Sequence, residues 1–187
     1  MATSKTRKRF SWLISLIVML AASAALIFAS DRVTAAVYGP YQESQPVPTV
    51  ASMTEMDISG YAADDYQVEM VQTCLDESGA VVGYAVDTWE YGFNSEKPIH
   101  LRSTISTDGK LLISVEVLEQ HESDYYGDQI GEDWYPGRFD GRLLPVLSNS
   151  ESGRGSHIDG ISGATYTSNA VLRAINNASR FVTEQLS

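Results

Sequence analysis

An uncharged, mostly apolar run from Phe10 to Ser30 constrains this chain more than any other feature of the sequence. Four basic residues precede it: Lys5, Arg7, Lys8 and Arg9. About 20 apolar residues, each adding about 1.5 Å of rise, are enough for a helix to cross a bilayer. Because basic residues favour the cytoplasmic side, the chain after Asp31 is predicted to lie on the outer face of the cell membrane.

A cleaved signal peptide is the alternative interpretation of this segment. The stretches 27–29 and 34–36 both end in small residues, as a cleavage site requires. The apolar run is longer than the usual apolar region of a signal peptide, which favours a retained anchor. We therefore predict a cytoplasmic basic tail over residues 1–9 and a single transmembrane helix over residues 10–30.

The composition of the remaining chain indicates a linker followed by one acidic domain. Residues 31–59 contain Pro40, Pro46 and Pro48, which favour an extended spacer. Residues 60–187 have the length of a single compact domain. Beyond residue 30, nine basic residues face 24 acidic ones, a net charge of −15, which argues against nucleic acid as a partner. Cys74 is the sole cysteine, so no intramolecular disulfide is expected.

The domain shows the pattern of an α+β fold. Four segments rich in β-branched and apolar residues are predicted as strands, mostly in hairpins: 68–75, 81–88, 100–106 and 111–118. Turn residues separate them at Glu77-Ser78-Gly79 and Thr107-Asp108-Gly109. The region 127–156 is rich in turn formers, with short helices predicted near Trp134 and Arg142. We expect an antiparallel sheet flanked by helices, preceded by the transmembrane helix.

A terminal helix is predicted from residue 167 to residue 186. Its apolar residues recur at steps of three and four, which gives one buried face: Ala170, Val171, Ala174, Ile175, Ala178, Phe181 and Val182. Thr167 or Ser168 is the predicted N-cap, since either hydroxyl can accept a hydrogen bond from a first-turn amide. Thr165 is thus expected just before a helix N-terminus, where an anion such as a phosphate is favoured.

The segment before this helix reads Asp159-Gly160-Ile161-Ser162-Gly163-Ala164-Thr165. Spacing alone leaves it open as an ordinary glycine-rich turn leading into a capped helix. A hydrolase nucleophile elbow centred on Ser162 is disfavoured, because in that architecture the histidine base follows the serine. All three histidines of this chain precede Ser162.

The pattern Asp, two residues, Ser or Thr, Gly, Ala, Thr resembles the motif of the FMN-binding domain family. That family includes the G subunit of Rnf-type ion-translocating ferredoxin:NAD oxidoreductases and the C subunit of sodium-pumping NADH:quinone oxidoreductases. The resemblance implies that a flavin transferase takes FMN from FAD and joins its phosphate to Thr165. By the same match, Asp159, Ser162, Gly163 and Ala164 are the residues that the transferase recognises.

The resemblance extends upstream over roughly residues 60–187. Tyr91-Gly92-Phe93 is similar to the family's approach to its paired strands. Where the family has Glu-Thr-Pro-Gly-Leu-Gly, this chain has Glu122-Ser123-Asp124-Tyr125-Tyr126-Gly127, and only the first and last residues agree. The resemblance implies cofactor contacts by Glu122, Tyr126 and Gly127. The substitution also brings Tyr125 or Tyr126 to a place where a flavin ring needs an aromatic wall.

The function implied is that of a membrane-anchored electron carrier, the redox subunit of an oxidoreductase complex rather than an independent catalyst. Its expected partners are the membrane, the other subunits of an ion-translocating electron transport complex and, during maturation, the flavin transferase. Two alternatives stay open: a free-standing extracytoplasmic flavoprotein for extracellular or quinone-linked electron transfer, and a flavin-free surface-binding module. No catalytic side chain and no metal site are predicted, because the histidines are scattered and the cysteine is remote from them.

Overall fold

The computed structural model describes residues 15–27, 29–30, 32 and 44–187. The chain divides into two units, Met1–Pro40 and Tyr41–Ser187. In the first unit, residues 15–27 form helix α1, with further helical residues at 29–30 and 32. Across the described ranges, no helix is both long enough and apolar enough to span a membrane. Three parts of the chain lie outside the described residues: the predicted tail 1–9, residues 10–14 and 28 of the predicted anchor, and most of residues 31–43.

The second unit is built on a six-stranded antiparallel sheet in which every strand pairs with its neighbours in the sequence. The strands are β1 (Ser52–Glu55), β2 (Val68–Leu75), β3 (Val81–Glu90), β4 (Ile99–Ser106), β5 (Leu111–Glu119) and β6 (Arg142–Leu143). A small parallel pair follows, formed by β7 (Val146–Ser148) and β8 (Ser156–Ile158). The four predicted strands and their hairpin order are confirmed.

Short turns join β2 to β3 and β4 to β5. In the β2–β3 turn, Asp76 Oδ1 accepts hydrogen bonds from the backbone N–H groups of Ser78 and Ala80, at 2.8 and 3.0 Å. Gly79 completes the turn at a φ of +82°, in the left-handed region that favours glycine. The β2–β3 and β4–β5 turns are tight, and longer connections join the other strands into a meander.

Helix α2, Thr165–Phe181, packs against β3 and β4 and ends in a π-helical turn at Val182–Leu186. All seven apolar residues predicted for its buried face are at most 1% exposed. Thr88 of β3 donates a hydrogen bond to the carbonyl oxygen of Ala174, and Ser179 donates one to the carbonyl oxygen of Gly109 in the β4–β5 turn. The predicted terminal helix is therefore confirmed, and hydrogen bonds join it to β3 and to the β4–β5 turn.

The predicted N-cap of this helix is wrong. The helix begins at Thr165, and Ala164 occupies the N-cap position without a side-chain hydrogen bond. The hydroxyls of Thr167 and Ser168 are used elsewhere: Thr167 donates to Glu122, and Ser168 accepts from the backbone of Ile161. Both hydroxyls, which local capping rules assign to the helix N-terminus, are thus used in tertiary hydrogen bonds.

Two further differences concern smaller elements, while the short helical structure predicted near Trp134 is present. Strand β1 lies within residues 31–59, so the sheet begins upstream of residue 60. A strand, β6, stands where a short helix was predicted near Arg142. Around Trp134 the chain forms two 3-10 helices, Gly127–Gly131 and Pro136–Phe139. The α+β class with an antiparallel sheet is confirmed, and α2 covers one face of that sheet.

The face of the sheet opposite α2 carries a buried ion pair. Residues alternate along β3, so Asp87 points away from the helix that its neighbour Thr88 contacts. Asp87 is only 5% exposed and accepts two hydrogen bonds from Arg102 of β4, both at 2.7 Å. This bidentate contact links the centres of two adjacent strands far from the helix.

Candidate cofactor site

A tight turn leads the motif into helix α2. The Ala164 N–H donates to the carbonyl oxygen of Ile161 at 3.0 Å, and Gly163 between them has a φ of +83°. A turn with positive φ at its third residue favours glycine at that place. The Ile161 N–H in turn donates to Ser168 Oγ at 2.9 Å, which ties the turn to the first turn of the helix.

Thr165 is the first residue of α2, and its side chain is exposed. The first amides of a helix have no carbonyl partner within the helix, and no side chain caps Ala164. The first turn also contains no acidic residue. An exposed hydroxyl therefore stands where unpaired amides and the helix dipole favour a negative group. Ser162 beside it is also exposed, whereas Ala164 is buried.

Asp159 is held from two sides. Arg138 Nη1 donates to its carbonyl oxygen at 2.7 Å, and Asn149 Nδ2 donates to its Oδ1. The Arg138 guanidinium itself lies 4.9 Å from the centre of the Trp134 ring, at cation–π distance. Asn149, 10 positions away in the sequence, thus holds the exposed carboxylate, and Arg138, 21 positions away, holds the backbone of the same residue.

Below the motif, Tyr135 is 1% exposed. Burial raises the pKa of its phenol, an effect that the nearby Ser168 hydroxyl and the Arg138 charge partly offset. The phenol therefore stays neutral beneath the turn at physiological pH. Among the described residues, its hydroxyl has no hydrogen-bond partner.

Glu122 lies on the buried side of the same helix end. It is 7% exposed, and its carboxylate accepts hydrogen bonds from the N–H groups of Phe93 and Asn94, at 2.9 and 3.1 Å. The Thr167 hydroxyl donates a third, at 2.5 Å. The carboxylate predicted to contact the cofactor is thus bonded to three protein donors from two other segments.

Two glycines make room for this carboxylate. A Cβ on Gly92 would lie 2.6 Å from Glu122 Oε1. A Cβ on Gly127 would lie 2.7 Å from Glu122 Cβ and 3.1 Å from Thr167 Oγ1. Gly127, the last residue of the altered hexad, is buried and belongs to the packing under the helix end.

Tyr126 lies on the motif itself. A Cβ on Gly163 would be 2.8 Å from Tyr126 Cδ1, so the ring is in direct contact with the glycine of the turn. Tyr126 is 55% exposed and Tyr125, which has a φ of +69°, is 85% exposed. Phe93 and Tyr166 are exposed as well. Exposed aromatic side chains from three segments therefore surround the end of α2.

The structure brings together most of the predicted site residues and adds others. Thr165, Ser162, Gly163 and Tyr126 share the exposed side of the helix end, whereas Glu122 and Gly127 lie beneath it. No sequence pattern marked Asn94, Arg138 or Asn149 as residues of the site, and Thr167 was predicted only as the N-cap of the helix. Each acts through a contact between distant parts of the chain, and a linear pattern carries no information about such contacts.

Comparison with known proteins finds similarity over the segment that contains this site. Residues 92–180 match the FMN-binding domain family. Over 180 residues the chain is 29% identical to the G subunit of the ion-translocating oxidoreductase complex of Methanosarcina acetivorans, an alignment that covers 92% of this chain and 94% of that protein. The resemblance to the FMN-binding domain family predicted from the motif is thereby confirmed.

Two solved structures share the fold. NqrC from Shewanella oneidensis aligns with a TM-score of 0.50 and 23% identity, over 61% of this chain and 58% of its own. The C subunit of the Na⁺-translocating NADH-quinone reductase from Parabacteroides distasonis aligns with a TM-score of 0.51 and 18% identity, over 74% of this chain and 79% of its own. This chain thus spans somewhat more than half the length of the Shewanella protein.

Proposed function

We propose that this chain, which carries an FMN-binding domain and is homologous to the G subunit of an ion-translocating oxidoreductase complex, is a membrane-anchored electron carrier with FMN linked through its phosphate to Thr165. The observation that supports this most directly is the position of Thr165. It is exposed, it is the first residue of α2, and it follows the Gly163 turn of the family motif.

The residues around Thr165 fit a phosphate-linked flavin. The uncapped helix end offers unpaired amides to a phosphate on the Thr165 oxygen. Gly163 keeps the surface beside it flat, since a Cβ there would collide with the Tyr126 ring. The half-exposed Tyr126 and the exposed Phe93 supply aromatic surface of the kind that a flavin ring contacts.

The attachment needs only one group from this chain. The Thr165 hydroxyl oxygen forms the new bond to the FMN phosphorus of FAD, its proton is lost, and the phosphoanhydride bond to AMP breaks. The flavin transferase supplies the catalysis, with Asp159, Ser162, Gly163 and Ala164 as its recognition residues. Arg138 and Asn149 hold Asp159 in place for that recognition.

When bound, FMN accepts and donates electrons, and the protein contributes position and surroundings. Thr165 fixes the phosphate end, and the aromatic side chains limit the access of water to the ring. No side chain of this chain is assigned a catalytic role. The chain therefore acts as a redox subunit that passes electrons between partners.

The anchor predicted from the sequence and the relatives support the proposed location and partners. The apolar run 10–30 and the basic residues before it favour a single-pass anchor with the domain outside the cytoplasm. The Methanosarcina relative belongs to an ion-translocating complex, which supports the other subunits of such a complex as partners here. A covalent link suits an extracytoplasmic carrier, because a dissociated cofactor would be lost by dilution.

The proposal is tested by flavin fluorescence of the denatured protein on a gel, after coexpression with a flavin transferase. Wild type, Thr165→Ala and Thr107→Ala are compared, the last being an exposed threonine in the β4–β5 turn. We expect fluorescent bands for wild type and Thr107→Ala and none for Thr165→Ala. A dark wild-type band, with the transferase active on a control protein, would refute the covalent carrier and support the flavin-free module.

One observation favours the second candidate, a free-standing extracytoplasmic flavoprotein. The hexad 122–127 departs from the family pattern at its four middle residues and places exposed Tyr125 and Tyr126 beside the motif. A surface altered next to the cofactor is expected if the electron partner differs. Copurification of other membrane subunits with the tagged chain supports the complex, whereas isolation of the flavinylated chain alone supports this candidate.

A further inference from the structure

We infer that Glu122 is the positioning residue of the cofactor site: its buried carboxylate fixes the segments that carry Phe93 and Tyr126 against the first turn of α2. This inference rests on the proposed function, because it assigns Glu122 to the arrangement of aromatic surface around Thr165. It replaces the expectation that Glu122 contacts the flavin itself.

The contacts of Glu122 join three separate parts of the chain. Its own segment continues into Tyr125 and Tyr126, and its carboxylate accepts hydrogen bonds from Phe93 N–H, Asn94 N–H and Thr167 Oγ1. These donors are 29, 28 and 45 positions away from it. A single side chain thereby sets the relative positions of two aromatic-bearing loops and the helix that begins with Thr165.

The chemistry of the side chain matches this arrangement. An ionised carboxylate is an acceptor only and can satisfy several donors at once, and hydrogen bonds to it are stronger than those between neutral groups. Its place at the N-terminal turn of α2 is also where the helix dipole stabilises a negative charge. A glutamine of the same size would bring an NH₂ group against at least one of these donors.

Two glycines pack closely against Glu122. Backbone approaches it on two sides, at Gly92 and Gly127, and neither residue could carry a Cβ without displacing Glu122. Two glycines with this constraint around one buried acid indicate that the interlock is required for the local fold.

Glu122 is not placed to touch the phosphate. Residues 165 and 167 are about 200° apart around a helix of 3.6 residues per turn. Thr165 is exposed, whereas Thr167, which donates to Glu122, is 1% exposed. The carboxylate therefore acts through Thr167 and the loop amides rather than by direct contact with the cofactor.

The test uses the full chain in detergent and has two readouts. Amide hydrogen exchange at Phe93 and Asn94, measured without flavin, reports the interlock, and visible circular dichroism of the attached flavin reports the fixed surroundings of its ring. Glu122→Gln is expected to speed exchange at both amides by about 10-fold or more, because hydrogen bonds to a charged acceptor are stronger than those to a neutral one. It is also expected to weaken the visible circular dichroism.

A matched control separates positioning from general loss of stability. Asp87→Asn breaks the buried Arg102 contact on the opposite face of the sheet, so it destabilises the domain without touching the site. We expect it to leave the flavin spectrum unchanged. Thr167→Val should reproduce part of the Glu122→Gln effect, whereas Thr167→Ser, which keeps the hydroxyl, should restore wild-type behaviour. The Thr167 pair also serves if Glu122→Gln does not fold.

The outcomes of this test and of the gel experiment are separable. Exchange at Phe93 and Asn94 that stays within about twofold of wild type in Glu122→Gln and Thr167→Val overturns the inference, whether or not flavin is attached. An unchanged visible circular dichroism in a flavinylated Glu122→Gln protein also overturns it, and leaves the Thr165 linkage intact. A wild type without covalent flavin refutes the proposed function, while the exchange measurement still decides the role of Glu122.

Discussion

At the scale of single residues, Gly163 carries two constraints at once. Its φ of +83° costs a residue with a Cβ about 1–2 kcal/mol, and the added atom would press on the Tyr126 ring. We expect Gly163→Ala to lower the free energy of unfolding by about 2–4 kcal/mol and to slow flavin attachment at Thr165. Denaturant unfolding and the rate of appearance of gel fluorescence measure the two effects.

Gly79 provides the control for this prediction. It has nearly the same φ, +82°, but an added Cβ would meet no atom within 4 Å. Gly79→Ala should therefore show only the backbone cost, about 1–2 kcal/mol, and a normal rate of flavin attachment. Equal losses in the two variants would contradict the assigned contact between Gly163 and Tyr126. Recovery of part of the loss in Gly163→Ala combined with Tyr126→Ala would support it.

Asp108 in the β4–β5 turn makes stability depend on pH. Hydrogen bonds from the Ser106 hydroxyl and the Lys110 N–H hold the pKa of its carboxyl below the usual 3.8. A lowered folded-state pKa means that the stabilisation is complete above the unfolded-state pKa and is lost as pH falls through the folded-state value. We expect Asp108→Asn to reduce the unfolding midpoint at about pH 6 and to converge with wild type as the pH falls below the lowered pKa of Asp108.

Unfolding curves in urea between about pH 2 and pH 7 provide the measurement. Ser106→Ala removes the largest cause of the lowered pKa, so its difference from wild type should also shrink at low pH. A constant difference should remain, because the Ser106 hydroxyl also accepts a hydrogen bond from the Leu111 N–H. A gap between wild type and Asp108→Asn that persists unchanged to the acid end of this range would show that the residue stabilises the turn without its charge.

At the scale of elements, patterns in the sequence predicted the strands and the helix face that depend on neighbouring residues. Strands β2 to β5 follow from β-branched runs between turn residues, and the buried face of α2 follows from its period. The start of α2 could not be predicted, because Thr167 and Ser168 bond to Glu122 and Ile161 instead of capping the helix. Strand β1 was missed since its four side chains are all exposed and its sequence shows no apolar alternation.

The contact between the 3-10 helix Pro136–Phe139 and the motif yields a prediction of its own. Arg138 is the donor that links this element to Asp159, so Arg138→Ala should loosen the motif before the transferase binds it. Loss of a partly exposed hydrogen bond from a charged donor is worth about 1 kcal/mol, or about fivefold in the rate of flavin attachment at subsaturating transferase.

Thr107→Ala, remote from the motif, is the reference for that rate. Arg138→Lys cannot reproduce the planar guanidinium that stacks on Trp134. It should therefore recover little of the rate of flavin attachment that Arg138→Ala loses. A rate for Arg138→Ala equal to that of the reference would show that Asp159 is recognised without this support.

At the scale of the whole molecule, the membrane topology is open to direct measurement. Cys74 is the sole cysteine and is completely buried, and burial also raises the pKa of its thiol, so the folded wild type should resist maleimides. Glu77→Cys introduces one exposed thiol in the β2–β3 turn. We expect a membrane-impermeant maleimide to label Glu77→Cys on intact cells, because the domain is proposed to lie outside the cytoplasm.

Lysed cells show whether the new thiol reacts at all, and wild-type cells show the background from Cys74. Labelling that requires lysis would place the domain on the cytoplasmic side and contradict the proposed topology. Extraction of the chain by detergent, but not by high salt, is the corresponding expectation for a retained anchor.

Helix α2 is the last large element of the chain, and Phe181 and Val182 near its end are fully buried in the core. A polypeptide cut short within this helix would leave the apolar face of its sheet uncovered and its threonine without a folded helix end. The colour of the attached flavin would then distinguish chains with a folded helix α2 from chains cut short within it. If Thr165 carries the flavin, yellow colour marks protein in which helix α2 has folded against its sheet.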